Sequence, residues 1–208
     1  MDESPSASAS VSVSARIAGW LGKPIVIWPV SFLLLPLLNA GLNRLILKTG
    51  LPLFLDSIFT VFAAAAFGVW PGIATAVMTN FIVEVIDGFP GVDLPFAVCG
   101  IATAVIVARA VKKDRARGSL YIALLIVEVS LANAILGAMI AVFVFGGYTG
   151  VNIDVIVSGL NAALGNILSA AFLARIPMNL VDKGIAVIAA LFFLKAILPK
   201  QRTEPERL

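Results

Sequence analysis

From residue 23 onward, long apolar runs alternate with short polar or Gly/Pro punctuation. A membrane-spanning helix needs about 20 largely apolar residues, within a range of about 17–25. Seven runs approach that length: residues 25–47, 53–68, 72–87, 94–111, 120–145, 155–173 and 179–198. The second and third are short and joined by a turn at Val69-Trp70-Pro71, while the fifth is long enough to tilt. A glycine-rich turn, Gly146-Gly147-Tyr148-Thr149-Gly150, leads into the sixth, which is dotted with Ser158, Asn161, Gly165, Asn166 and Ser169. The seventh follows Pro177. Residues 1–22 are Ser/Ala-rich and lack the basic start and apolar stretch of a secretory signal. The predicted organisation is a flexible tail over 1–22, a helical membrane domain over 23–199 and a cytoplasmic tail over 200–208.

Composition narrows the solvent. Hydrophobic residues make up 60% of the 208 positions and charged ones 13%, and the mean hydropathy is +1.03. With its glycines the apolar share reaches about two-thirds, against about 45–50% in soluble domains. A water-soluble globule and a disordered chain are both excluded, and a lipid bilayer is the natural environment. The single cysteine, Cys99, and the absence of histidine exclude an intrachain disulfide, thiol or imidazole metal clusters and His-dependent catalytic triads. No cofactor is predicted. The net charge of +3 arises from Lys and Arg at segment ends, so it reads as membrane orientation and not as a nucleic-acid patch.

Short loops rich in Lys and Arg stay cytoplasmic. Arg109, Lys112, Lys113, Arg115 and Arg117 put the loop after the fourth run inside. Arg16 and Lys23 put the N-terminus there too, which leaves Asp87 and Asp93 outside. Lys195, Lys200, Arg202 and Arg207 assign the C-terminus inside, yet three runs separate it from the basic loop. One must therefore fail to cross completely, or the tail lies outside despite its charge. Run 155–173 is the exception, because its Asn, Ser and Gly suit a re-entrant or cavity-lining segment. The predicted fold is an all-α integral membrane protein: six transmembrane helices plus one partial or re-entrant segment, with both termini cytoplasmic.

Carboxylates in hydrocarbon are costly and face a bundle interior or a wet cavity. Asp56, Glu84 and Glu128 stand well within apolar runs. Asn80, Glu84 and Asp87, spaced i, i+4, i+7, share one helical face beside Thr79. In the first run Asn39 and Asn43 share a face, and Arg44 and Lys48 follow as partners for Asp56 or Asp87. Polar groups in membrane helices also act simply as interhelical glue, which is the favoured reading for a single residue such as Asn133. The acidic stripe favours a ligand site. Asp182 and Lys183, just behind Pro177 and Asn179, read as a helix-start cap and a snorkelling cation. The pairs Ala104/Ala108, Ala134/Ala138, Ala170/Ala174 and Ala186/Ala190 read as ordinary close packing.

The chain carries no phosphate loop: Gly19-Trp20-Leu21-Gly22-Lys23-Pro24 has the wrong spacing and a proline where the hydroxyl belongs. ATP hydrolysis is not expected, nor is an attached kinase or catalytic domain.

The stretch Leu51-Pro52-Leu53-Phe54-Leu55-Asp56-Ser57-Ile58-Phe59-Thr60, followed by an Ala-rich run, Gly68-Val69-Trp70-Pro71-Gly72 and Thr79-Asn80, resembles the first half of the substrate-binding S components of energy-coupling-factor (ECF) transporters. Ala174-Arg175-Ile176-Pro177-Met178-Asn179-Leu180-Val181-Asp182-Lys183 and the apolar helix ending Leu198-Pro199-Lys200 resemble the family's last helix. The resemblance covers most of the chain from residue 25. It implies a six-helix protein of the prokaryotic plasma membrane that captures a vitamin or related micronutrient from outside and works with a transmembrane coupling subunit and two cytoplasmic ATPases. Family members often present small residues on the first helix to that subunit, whereas Val30-Ser31-Phe32-Leu33-Leu34-Leu35-Pro36 carries no such pair. The same Leu-Asp-Ser pattern resembles membrane sensor domains of some histidine kinases.

The candidate substrate-binding residues are Asn43, Asp56, Thr60, Asn80, Glu84, Asp87, Glu128 and Asn161. Three alternatives stand beside the S-component reading: a self-sufficient transporter in which Asp56, Glu84 and Glu128 carry protons or cations, a stand-alone sensor, and an intramembrane enzyme using two carboxylates. The acids favour a ligand bearing an amine, hydroxyl or ring N–H over a bare anion.

Overall fold

The computed structural model describes residues 23–112 and 118–197. Both predicted tails, and Lys113, Arg115 and Arg117 of the basic loop, lie outside the described residues. The first apolar run forms one helical rod with a re-spaced middle: α1 (Pro24–Pro29) passes through a π-helical turn, Val30–Leu34, into α2 (Leu35–Leu47). Pro29 and Pro36 bracket that turn. Each lacks an N–H to continue the regular ladder, and the wider π spacing absorbs the defect.

A non-helical stretch leads to α3 (Ile58–Phe67), which Gly68 alone separates from α4 (Val69–Ile86). A loop and a 3₁₀ turn, Leu94–Phe96, then precede α5 (Ala97–Lys112), α6 (Ser119–Phe145), α7 (Asp154–Leu164) and α8 (Ile167–Ile197). Every regular element among the described residues is helical. Five stretches are long and apolar enough to cross a membrane: Pro24–Leu47, Val69–Ile86, Leu94–Val111, Ser119–Phe145 and Ile167–Ala196. With 10 and 11 residues, α3 and α7 reach only about 15–17 Å, roughly half the hydrocarbon thickness of about 30 Å.

Three boundaries differ from the pattern. Run 53–68 is helical only from Ile58, because Pro52 and the left-handed Leu55, at φ 46°, keep the preceding backbone open. The turn placed at Val69-Trp70-Pro71 is confined to Gly68, at φ 100°; Pro71 sits in the first turn of α4, where a missing N–H costs little. The third difference matters most for the site. Runs 155–173 and 179–198 divide at Gly165-Asn166 and not at Pro177. Gly165 ends α7 in the left-handed conformation, and Asn166 Oδ1 accepts the Ser169 N–H at 2.9 Å, starting α8. Pro177 is carried inside the 31-residue α8, as membrane helices allow when neighbours cover the freed carbonyl.

Lipid tails are as apolar as the side chains, so close packing holds these helices together. Ala104, Ala134, Ala138, Ala170, Ala174, Ala186 and Ala190 are all buried, and α8 runs along α6 and α3. The helices approach closely at Gly72, where an added Cβ would stand 2.7 Å from Ala64 Cβ and 3.0 Å from Ala104 Cβ. Only glycine lets α3, α4 and α5 meet there.

Candidate functional site

Along α8 the polar residues Arg175, Asn179 and Lys183 lie between the buried Ala170/Ala174 and Ala186/Ala190 pairs, and a cavity opens there among the helices. Its empty volume, counted out to its open mouth, is about 900 Å³. Every long membrane-crossing stretch supplies part of the wall: Asn43 from α2, Thr79 and Asn80 from α4, Cys99 and Gly100 from α5, Asn133 and Gly137 from α6, and Arg175, Asn179 and Lys183 from α8. Phe54, Asp56 and Ser57 add the stretch before α3, Thr60 adds α3 itself, and Asp93 and Phe96 add the loop before α5.

Of the predicted residues, Asn43, Asp56, Thr60 and Asn80 line this cavity. Asn80 is half-buried and donates Nδ2 to the Ala76 carbonyl at 3.1 Å. Thr60 belongs to a small network centred on Asn39, which donates to Thr60 Oγ1 at 3.2 Å and Thr79 Oγ1 at 3.1 Å and accepts the Phe59 N–H at 2.9 Å. Asn39 thereby ties α2 to α3 and α4. Asn43 donates Nδ2 to the Phe54 carbonyl at 3.0 Å, while its Oδ1 is buried without a partner.

Glu84, Asp87, Glu128 and Asn161 are not brought to the cavity wall. Glu84 is fully buried; its Oε1 accepts the N–H of Gly91, and its Oε2 accepts those of Asp93 at 2.7 Å and Leu94 at 2.9 Å. It holds the loop that leads into α5. Asp87 pairs with Arg44 Nη1 at 2.8 Å, both partly exposed. Glu128 is on the exposed face of α6, and Asn161 is half-buried in α7. The i, i+4, i+7 stripe thus splits among three environments, since the helix ends at Ile86 and Asp87 has already turned away.

Asp182 and Lys183 correct the reading of a helix-start cap and a snorkelling cation. They lie in the middle of α8, both buried. Asp182 Oδ1 accepts the N–H of Phe54 at 3.0 Å and of Leu55 at 2.7 Å. Lys183 Nζ donates to Asp182 Oδ2 at 2.8 Å and Ser57 Oγ at 2.9 Å, and lies 3.4 Å from Asp56 Oδ1. The pair closes a circuit between α8 and the stretch before α3. Arg175 and Asn179 escape the sequence reading as well, although Arg175, Asn179, Asp182 and Lys183 at i, i+4, i+7 and i+8 define one helix face. A break expected at Pro177 hides that face.

In the outer loop, partial burial pushes the Asp93 carboxyl up to about 6; Arg44 opposes the shift, and Asp87, Glu84 and Asp56 add to it. The cavity therefore presents both charge signs, several amides and the aromatic residues Phe54 and Phe96. Such a wall holds a small polar organic molecule by several groups at once.

A family model described as "ECF transporter, substrate-specific component" matches residues 13–194. No curated protein and no solved structure matches the chain.

Proposed function

Because the chain belongs to the substrate-specific components of ECF transporters, we propose that its cavity captures a vitamin or related micronutrient from outside the cell and that the chain delivers it inward with a transmembrane coupling subunit and two cytoplasmic ATPases. A specificity subunit needs a solute site and no catalytic centre. The observation that carries this reading is the polar cavity shared by α2, α3, α4, α5, α6 and α8, since ionisable groups placed at membrane depth are costly unless they serve a solute or each other. Asn43, Asp56, Thr60 and Asn80 are the solute-facing residues in this proposal, joined by Asn179 and Lys183.

In the arrangement we favour the chain crosses the plasma membrane six times with both termini cytoplasmic. The five long spans are supplemented by α3 together with the open backbone of residues 51–57, and α7 does not cross. Asp93 and the mouth of the cavity then face outward.

The test is co-purification with an ATP-hydrolysing membrane module, and solute uptake that stops when partner ATP hydrolysis is blocked. Uptake by the purified chain alone, driven by an ion gradient, contradicts the proposal.

A further inference from the structure

Two carboxylates, Asp56 and Asp93, and two cations, Arg175 and Lys183, line the cavity, and the way each cation is paired bears on the solute's chemistry. Lys183 is answered within the chain by Asp182 at 2.8 Å and Asp56 at 3.4 Å. Arg175 is not. It is 4% exposed, lines the cavity and donates Nη1 to the Ala171 carbonyl of its own helix at 3.1 Å. Among the described residues no carboxylate comes within ion-pair distance of it. Asp154, an acid in the neighbouring α7, has its carboxylate taken by the N–H groups of Thr149 and Gly150 at 2.7 and 2.6 Å. A guanidinium cannot shed its proton and offers five donors in a planar fork. Asp154 attracts Arg175 only from beyond ion-pair distance, and a buried guanidinium without a direct carboxylate partner is expensive.

The fold nevertheless makes room for it. Arg175 Cδ and Nε lie 3.3 and 3.4 Å from where a Cβ on Gly137 would stand, with Phe96 beside them. The absence of a side chain on α6 is what seats the arginine stem. Elsewhere on the same wall Asn43, 5% exposed, has its amide orientation fixed by the Phe54 carbonyl and its Oδ1 unpartnered. An unsatisfied buried acceptor is costly, and a ligand N–H or O–H that reaches it removes that cost.

Building on the solute-capture reading, we infer that the solute is a small organic acid, its carboxylate held by Arg175 and an N–H or O–H donor held by Asn43 Oδ1. The acids that favoured an amine-bearing ligand in the sequence are largely engaged elsewhere: Asp182 and Glu84 serve backbone N–H groups, Asp56 faces Lys183, and Asp93 stands in the outer loop, where Arg44 attracts it.

The test uses the purified full-length chain and matched probe pairs: 4-aminobenzoate and 4-aminobenzamide, indole-3-acetate and indole-3-acetamide. Retention is read by native mass spectrometry, together with the identity of any co-purified solute. The expected result is a co-purified acid, or retention of at least one acid about tenfold over its amide, a difference of about 1.4 kcal/mol. Arg175→Gln abolishes the preference and Arg175→Lys, which keeps the charge, preserves part of it. Gly137→Ala crowds the stem and weakens acid retention without removing the charge, which keeps the inference testable if Arg175→Gln does not fold. A co-purified solute without an acidic group, or amides retained as well as acids, overturns the inference and leaves solute capture standing. A chain that carries no solute and retains no probe contradicts both.

Discussion

Asp182 accepts the Leu55 N–H at 2.7 Å across 127 residues of sequence. The contact joins the middle of the last helix to the open stretch that walls the cavity before α3. Leu55 stands at φ 46°, a conformation that a residue with a Cβ holds only when its surroundings insist. Here Asp182 supplies that constraint, and Lys183 fixes Asp182 in turn.

Removing one member of this buried pair is expected to be severe. Asp182→Ala leaves the Lys183 ammonium with only the longer Asp56 contact and Ser57 and frees the N–H groups of Phe54 and Leu55, costing about 3–5 kcal/mol. Adding Lys183→Met to that variant restores part of the loss in unfolding experiments, because the poorly compensated charge is gone. A double variant no more stable than Asp182→Ala would show that the pair is not an energetic unit.

Glu84→Gln tests a different role. A carboxylate accepts on both oxygens, whereas a glutamine would turn an NH₂ toward either Gly91 or the Asp93 and Leu94 amides. The expected cost is about 1–3 kcal/mol, localised as faster amide exchange over residues 88–96. Unchanged exchange there would mean that Glu84 does not hold the loop.

Asp93 carries a pH dependence whose sign follows from its raised value. Between its ordinary value of 3.8 and about 6 the folded chain keeps a proton that the unfolded chain has released. Its contribution to stability therefore falls as pH rises through that window and levels off above it. Melting curves from pH 4 to 7 should show this component in the wild type and lack it in Asp93→Asn. Identical profiles would argue against a buried, proton-retaining Asp93.

At Gly72 the prediction concerns packing alone. Gly72→Ala places a methyl 2.7 Å from Ala64 Cβ, and the shift required of α3 or α5 costs about 1–3 kcal/mol. The readout is the unfolding midpoint. Gly41, where an added methyl would meet no atom within 4 Å, accepts alanine without such a loss.

How much of this is legible in the sequence varies with the kind of signal. Long apolar runs mark the five long helices because length in a bilayer is set by hydrocarbon thickness. They misjudge the second run, where Leu55 opens the backbone through a tertiary hydrogen bond that no local propensity reveals. Proline misleads at Pro177 and glycine is underread at Gly165, since a membrane helix tolerates the first and the second ends one. Asn43, Asp56, Thr60 and Asn80 are readable as polar residues in apolar surroundings. Glu84 looks the same in sequence, yet its partners are backbone amides seven to ten residues away. Arg175 and Lys183 become visible only once α8 is continuous.

The central claim is that the polar cavity holds a solute, and the most direct measurement is native mass spectrometry of the detergent-purified chain beside Asn80→Phe, which places a ring in the cavity from a half-buried wall position. The account predicts a bound small molecule on the wild type and none on a variant that remains folded. The same molecule at the same occupancy on both would contradict it.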